Sequence, residues 1–218
     1  MTAAPEIHVV DDDPAVRDSL RMLLEASGHT VKVYADAESF IAAGLNGNGP
    51  GCVVADVRMP GLSGLDLLRI LQDRDIDLPL IVITGHADVS MAVQALKEGA
   101  SDFIEKPFDD AIFLAAVNKA LLGSQRAWVE RRRLDGIEAR ANSLTPREYE
   151  VMILVAQGLS NKAAAAELGI SVRTVEIHRA RVMEKMAADS LSVLVRMVLE
   201  LEESGRLVHD GDDEPETA

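Results

Sequence analysis

The chain is predicted to fold as a five-stranded, doubly wound parallel α/β sheet followed by an all-α segment. Three observations carry this. Short β-branched runs alternate with amphipathic helical stretches five times within the first 120 residues. Three of the five runs are nearly all apolar, as strands covered on both faces must be. After Leu122 the strand signal stops, and from Leu144 to about Glu203 the chain reads as short helical pieces.

The strand runs are Ile7–Val10, Val31–Tyr34, Cys52–Ala55, Leu80–Thr84 and Asp102–Glu105. The first helix begins near Pro14 and sets Val16, Leu20, Leu23 and Leu24 on one face; Ser27-Gly28 ends it. Further helices are expected from Asp36, Gly64, Asp88 and Asp109. Strand–helix alternation of this kind packs as a parallel sheet with helices on both faces. Residues 1–123 thus form a first domain. Residues 124–143 are polar, with four Arg between Arg131 and Arg140, and fit either a helical extension or a flexible linker. A second domain spans 144–204, with breaks at Gly158, Gly169–Ser171 and Ala187–Ser190. Residues 205–218 are acidic and low in apolar content, which reads as a disordered tail.

Composition narrows the function. The 218 residues carry 22 Lys+Arg against 36 Asp+Glu, a net charge of −14. Taken whole, that argues against a nucleic-acid binder, whose footprint is basic. The charge is unevenly placed, however. Residues 1–123 hold 9 basic and 19 acidic side chains, and residues 188–218 hold 2 and 9. Residues 124–143 hold 5 and 3, and residues 144–187 hold 6 and 5, so the middle alone is net positive. The single cysteine, Cys52, forbids an internal disulfide and reads as a small buried hydrophobe. The N-terminus has no signal-peptide character, and no stretch approaches the ~18 apolar residues of a membrane span. A cytoplasmic protein is expected.

Ligands of doubly wound sheets sit beyond the carboxyl ends of the strands. Here those ends read Asp11-Asp12-Asp13, Asp56, Thr84 and Glu105-Lys106-Pro107. Singly, each has a plain reading: Asp13 as a helix cap, Asp56 before a Pro60-Gly61 turn, Thr84-Gly85 as a strand exit, Lys106 as a surface lysine. Their joint placement points elsewhere. Carboxylates crowded in one crevice repel unless a cation joins them, and hard oxygens suit Mg²⁺. Lys106 adds a point charge and Thr84 a hydroxyl for a phosphoryl oxygen. An Asp beside Mg²⁺ can act as a nucleophile and become an aspartyl-phosphate. His8 and His86 read as a strand and a loop residue, outside this site.

The order Asp11-Asp12, then Asp56-x-x-Met59-Pro60-Gly61-x-x-Gly64, then Thr84-Gly85, then Lys106-Pro107 resembles the receiver domain of two-component response regulators. The match spans about residues 5–122. It implies strand order 2-1-3-4-5, a flavodoxin-like fold, and a phosphoryl group accepted by Asp56 from a sensor histidine kinase. Asp11 and Asp12 then correspond to the Mg²⁺-binding acids, with Asp56 and the backbone carbonyl of Arg58 as further ligands. Thr84 and Lys106 match the switch positions, and Phe103 matches the aromatic that turns inward with the threonine. In this family the Lys106–Pro107 bond is often cis.

The last third reads as a helix-turn-helix. Thr145-Pro146-Arg147-Glu148 is a capping box, Ser160-Asn161 starts a short Ala-rich helix, Gly169 turns, and Ser171 caps a helix to about Met186. At ~100° per residue, Val175, Val182 and Met186 share one face. Arg173, Ile177, Ala180 and Glu184 share the opposite one, flanked by Thr174, Glu176 and Arg181. Arg173 and Arg181 are the leading candidates for DNA contact, with Thr174 and Glu176 next. Arg179 points toward phosphate or a neighbouring helix, and His178 lies at the core boundary. Leu191, Leu194, Val195, Val198 and Leu201 form a later apolar stripe that either closes the domain or pairs with its twin.

Residues 143–203 are similar to the LuxR-type helix-turn-helix, through Leu144-Thr145-Pro146-Arg147-Glu148, Gly158-Leu159-Ser160-Asn161-Lys162 and Ile170-Ser171-x-x-Thr174-Val175. There Leu191, Leu194, Val195 and Val198 correspond to the dimerisation helix. Two departures stand out. Glu176 stands where many relatives carry Lys, which lowers phosphate attraction and leaves a cytosine contact open. Ala163-Ala164 replaces a bulkier pair. The whole chain resembles the FixJ subgroup of response regulators. The resemblance implies a homodimer formed on phosphorylation, double-stranded DNA and RNA polymerase as partners, activation of transcription, and an output linked to oxygen or nitrogen fixation. Two rival readings remain. A Mg²⁺-dependent aspartate-nucleophile phosphotransferase wants a second Asp two residues after the nucleophile, where Arg58 stands. A regulator acting only by protein contacts is the other.

Overall fold

A computed structural model describes residues 4–43, 49–85 and 89–207. The expected helix start at Asp88, the reading of His86 and most of the acidic tail fall outside the described residues. The chain divides into two compact units, Met1–Val129 and Glu130–Ala218.

The first unit is a five-stranded parallel sheet in the order β2-β1-β3-β4-β5. Its strands are β1 (Glu6–Val10), β2 (Thr30–Tyr34), β3 (Gly51–Asp56), β4 (Leu80–Thr84) and β5 (Asp102–Glu105). Every residue of β3 and β4 is buried, as their unbroken apolar runs require. The edge strand β2 is largely exposed. The helices are α1 (Pro14–Ala26), α2 (Ala37–Ala42), α3 (Gly64–Asp73), α4 (Val89–Lys97) and the first part of α5 (Asp110–Ala141). Two cores result, one on each face of the sheet. One joins Ile7, Val9, Leu20, Leu24, Ile81, Ile83, Phe113 and Val117. The other joins Val10, Phe40, Val53, Ala55, Leu67, Leu71 and Val82.

Local chemistry sets the helix starts. The Asp13 carboxylate accepts from the Ala15 N–H, Asp36 from Ser39, and Ser63 with Asp66 forms a full capping box. Cys52 is fully buried and its thiol is pushed up to about 12 by desolvation, consistent with a hydrophobic filler. His8 is also buried, beside Tyr34 and Phe40, and burial lowers its pKa.

Of the two readings open for residues 124–143, the structure takes the helical one: α5 runs through Gly123-Ser124 to Ala141. One glycine costs a helix only ~1 kcal/mol. Ser124, in turn, is buried and its hydroxyl accepts from the Gly51 N–H at 3.0 Å, fastening this turn to the start of β3. Among the described residues no helix is long and apolar enough to cross a membrane.

The second unit holds the end of α5 with α6 (Pro146–Ala156), α7 (Asn161–Leu168), α8 (Val172–Lys185) and α9 (Leu191–Glu203). Thr145, Ser160, Ser171 and Ser190 cap α6 to α9, and Gly169 ends α7 in the left-handed region at φ 65°. Their shared core joins Ile137, Met152, Val155, Ala164, Val175, Val182, Met186, Leu194, Val198 and Leu201.

Candidate phosphoacceptor and DNA-binding sites

At the carboxyl edge of the sheet, β1 ends at Val10 and the next residue, Asp11, is 1% exposed. β3 ends on Asp56, which is 7% exposed. Both carboxylates reach the same cation: Lys106 Nζ lies 2.7 Å from Asp11 Oδ2 and 2.7 Å from Asp56 Oδ1. Burial raises the pKa of Asp11 against the pull of this lysine. Burial also opposes the charge on Lys106, but its bonds to Asp11 and Asp56 outweigh that and hold its pKa high.

The backbone organises the rest. The Asp13 N–H donates to Asp11 Oδ1 at 2.9 Å, and the Arg58 N–H donates to Asp56 Oδ2 at 2.6 Å. Arg17, not anticipated from the sequence, donates to the Asp11 carbonyl at 2.6 Å. The Lys106 N–H donates to the Thr84 carbonyl at 2.7 Å, and the Lys106–Pro107 bond is cis. Thr84 is buried, and Phe103 is half-buried against the core that contains Val82. Gly64 is a further positioning residue, since a Cβ there would lie 2.5 Å from the Asp56 carbonyl.

The structure brings Asp11, Asp56 and Lys106 together. It leaves Asp12 exposed at the rim, and among the described residues no three acidic, His or Cys side chains gather closely enough to hold a metal. The expected metal set is therefore a pair with a rim neighbour in this conformation, because the Lys106 ammonium stands between the two carboxylates.

In the second unit, α8 turns Val175, Val182 and Met186 inward, all at most 1% exposed. Arg173, Glu176, Ile177, Ala180 and Arg181 are exposed on the other side. Thr174 is half-buried and its Oγ1 lies 2.8 Å from the Ser171 hydroxyl, so capping engages it. Arg179 donates to Asn161 Oδ1 at 3.0 Å, which takes it to the neighbouring helix α7.

The apolar stripe of α9 divides. Leu194 and Val198, expected at a dimer surface, are 0% and 2% exposed and belong to the core. Leu191 is 39% and Leu199 50% exposed, and Val195 is half-buried. At ~100° per residue Leu194, Val198 and Leu201 cluster within ~60°, while Leu191 and Val195 lie at its margin. Core closure takes the centre of the stripe and leaves the margin outside.

Glu148 does more than cap α6. It is 2% exposed, and its Oε2 accepts from Lys185 Nζ at 2.6 Å and from the Thr145 N–H at 2.9 Å. The bond from Lys185, then that from the Thr145 N–H, hold its pKa down at about 2. A carboxyl depressed in the folded state stabilises fully above its unfolded value, near 4.5, and ceases to as pH falls through about 2. The second unit is therefore expected to lose stability progressively from pH 4.5 toward 2. Glu148→Gln should flatten that segment of the profile, read by chemical denaturation at each pH.

A receiver-like sheet carrying a buried Asp–Asp–Lys cluster, joined to a helix-turn-helix, defines a two-domain response regulator. Residues 7–118 match the response regulator receiver domain, and residues 142–198 match the bacterial regulatory proteins of the luxR family. The chain is 47% identical over 199 residues to the transcriptional regulatory protein FixJ of Bradyrhizobium diazoefficiens, covering 91% of this chain and 97% of that one. It is 43% identical to the C4-dicarboxylate transport transcriptional regulatory protein DctR of Rhodobacter capsulatus, covering 88% and 98%. The solved structure of the response regulator StyR superposes with a TM-score of 0.83 at 39% identity, covering 91% of this chain and all of that one. The chain belongs to the FixJ-like response regulators, with a receiver domain followed by a LuxR-family helix-turn-helix, and is a transcriptional regulator, not an enzyme. Receiver domains use Mg²⁺ for phosphorylation and take their signal from histidine kinases, and the helix-turn-helix binds DNA.

Proposed function

We propose that a sensor histidine kinase phosphorylates this protein at Asp56, and that the phosphorylated chain dimerises and binds a specific DNA site to activate transcription. The observation that supports this best is the buried cluster in which Asp11 and Asp56 share Lys106. A phosphoryl group on Asp56 brings charge and acceptor oxygens to the spot that Lys106 already serves. Asp11 and Asp56, the Arg58 carbonyl and Asp12 from the rim are the residues that would hold Mg²⁺. That ion neutralises charge on the transferring group when bound. The protein's own part is to keep Asp56 oriented through the Arg58 N–H and to present Lys106 and Thr84 to the phosphoryl oxygens. Thr84 and Phe103 then move together, and the surface around β5 repacks as a two-state element.

At the output end, Arg173 and Arg181 contact DNA, with Glu176, Ile177 and Ala180 between them and Thr174 beside the cap. Leu191 and Leu199, with the half-buried Val195, are the part of α9 left for a two-fold partner, which would place two α8 helices on adjacent half-sites. An output linked to oxygen or nitrogen fixation belongs to this reading, and the similarity to DctR, named for C4-dicarboxylate transport, supports control of dicarboxylate transport as readily.

A reading by protein contacts alone predicts no DNA response. The full chain, treated with phosphodonor and Mg²⁺, is expected to bind its duplex with an affinity that falls steeply with salt. Arg173, whose side chain is 84% exposed, can be replaced without touching the core. Arg173→Ala should weaken binding roughly tenfold, about 1.4 kcal/mol, with melting unchanged. Salt-independent binding, or equal binding by the variant, would count against the assignment of α8 as the reader.

A further inference from the structure

We infer that Glu176 is a base-reading residue and that each DNA half-site taken by this chain carries a cytosine opposite it. This deepens the DNA-binding reading above and rests on it. The core sets the orientation of α8 through Val175, Val182 and Met186, so its outer face cannot rotate away. Within the first two turns that face offers Arg173, Glu176 and Ile177, all exposed. Glu176 is the one acceptor among these three. Among the described residues its one ion pair is with Arg173 at 3.8 Å, and its side chain is 48% exposed. It is thus loosely oriented but not neutralised, unlike Glu148, which is closed off by Lys185 at 2.6 Å.

A carboxylate on a face that enters the major groove is repelled by every phosphate it passes. One class of group in the groove rewards it, an exocyclic amine. Cytosine presents its N4 amine there, whereas adenine pairs its N6 amine with the N7 acceptor, which repels the second carboxylate oxygen. Cytosine is therefore the favoured partner. Arg173, one turn earlier and more exposed, has a fork suited to guanine O6 and N7. The pair would read neighbouring base pairs, with the Arg173 charge offsetting part of the Glu176 repulsion.

The test is selection from a duplex library with randomised half-sites, using the full chain with phosphodonor and Mg²⁺. Wild type, Glu176→Gln and Glu176→Ala are compared. Wild type should enrich a half-site with cytosine at one defined column, by roughly tenfold over the other bases. Glu176→Gln should move that column toward adenine, because an amide offers both a donor and an acceptor. Glu176→Ala should lose preference at that column and keep it elsewhere. Melting should match wild type for both variants, since the side chain is half in solvent. If all three enrich the same half-site with the same column preferences, Glu176 does not read a base and the inference falls while DNA binding stands. If wild type enriches a base other than cytosine at the column that the variants alter, the cytosine assignment falls. If none of the three enriches any sequence, the DNA-binding reading falls as well.

Discussion

Asp56→Asn is expected to take up no phosphoryl group from a small phosphodonor in the presence of Mg²⁺, while wild type gains one. Intact-protein mass reads this directly. Asn keeps the shape of the side chain but its amide is a poor nucleophile, so the aspartyl-phosphate cannot form. The fold should survive. Asp56 is one of two carboxylates sharing Lys106, and Asp11 remains to pair with that ammonium at 2.7 Å. Because Asp11 and Asp56 repel each other, removing one charge relieves strain at the strand ends, and the apo protein should melt no lower than wild type. The DNA affinity of the variant should stay at the untreated level, about tenfold or more below treated wild type, a difference of ~1.4 kcal/mol. Equal phosphoryl uptake by the variant would move the acceptor elsewhere.

Lys106→Met is expected to be the more damaging change to stability. It removes the cation from between two carboxylates of which Asp11 is 1% exposed. Truncating one partner of a buried ion pair leaves an uncompensated charge, at a cost of about 3 kcal/mol. Two further consequences distinguish this from simple loss of packing. Added Mg²⁺ should stabilise the variant more than wild type, because a divalent ion can take the vacated position and binds only the folded state. The variant should also still accept a phosphoryl group yet fail to raise its DNA affinity, because Lys106 is the side chain that would follow the phosphoryl oxygens. Melting curves at zero and millimolar Mg²⁺ check the first, and DNA titration before and after phosphodonor checks the second. A variant as stable as wild type without Mg²⁺ would mean that the two carboxylates do not depend on this lysine.

Much of this was legible in the chain because the signals are local. β3 and β4 announce themselves as unbroken apolar runs ending on Asp56 and Thr84, and the structure buries both strands completely. Asp13, Asp36, Ser63, Thr145, Ser160, Ser171 and Ser190 sit where caps are needed, and each one caps. The inward face of α8 followed from spacing alone. What stayed hidden depends on partners far along the chain. Nothing near Glu148 announces Lys185, 37 residues on. Nothing near Ser124 announces its bond to the start of β3, 73 residues earlier. The α9 stripe shows the same limit. Its period marks an apolar face, but only the packed core shows that Leu194 and Val198 are used up within the domain and Leu191 is not. At the carboxylate edge the sequence placed three acids together, while the structure pairs two of them through Lys106 and leaves Asp12 outside.

A phosphoryl group on Asp56 is expected to control DNA binding by the second unit. Fluorescence anisotropy of a labelled target duplex, titrated with the full chain before and after phosphodonor plus Mg²⁺, tests it most directly when oligomeric state is followed by sedimentation in the same buffer. Treatment is expected to tighten binding by at least about tenfold and to convert monomer to dimer on the duplex. Identical binding curves for treated and untreated protein, with the phosphoryl group verified on Asp56 and the chain monomeric throughout, would contradict it.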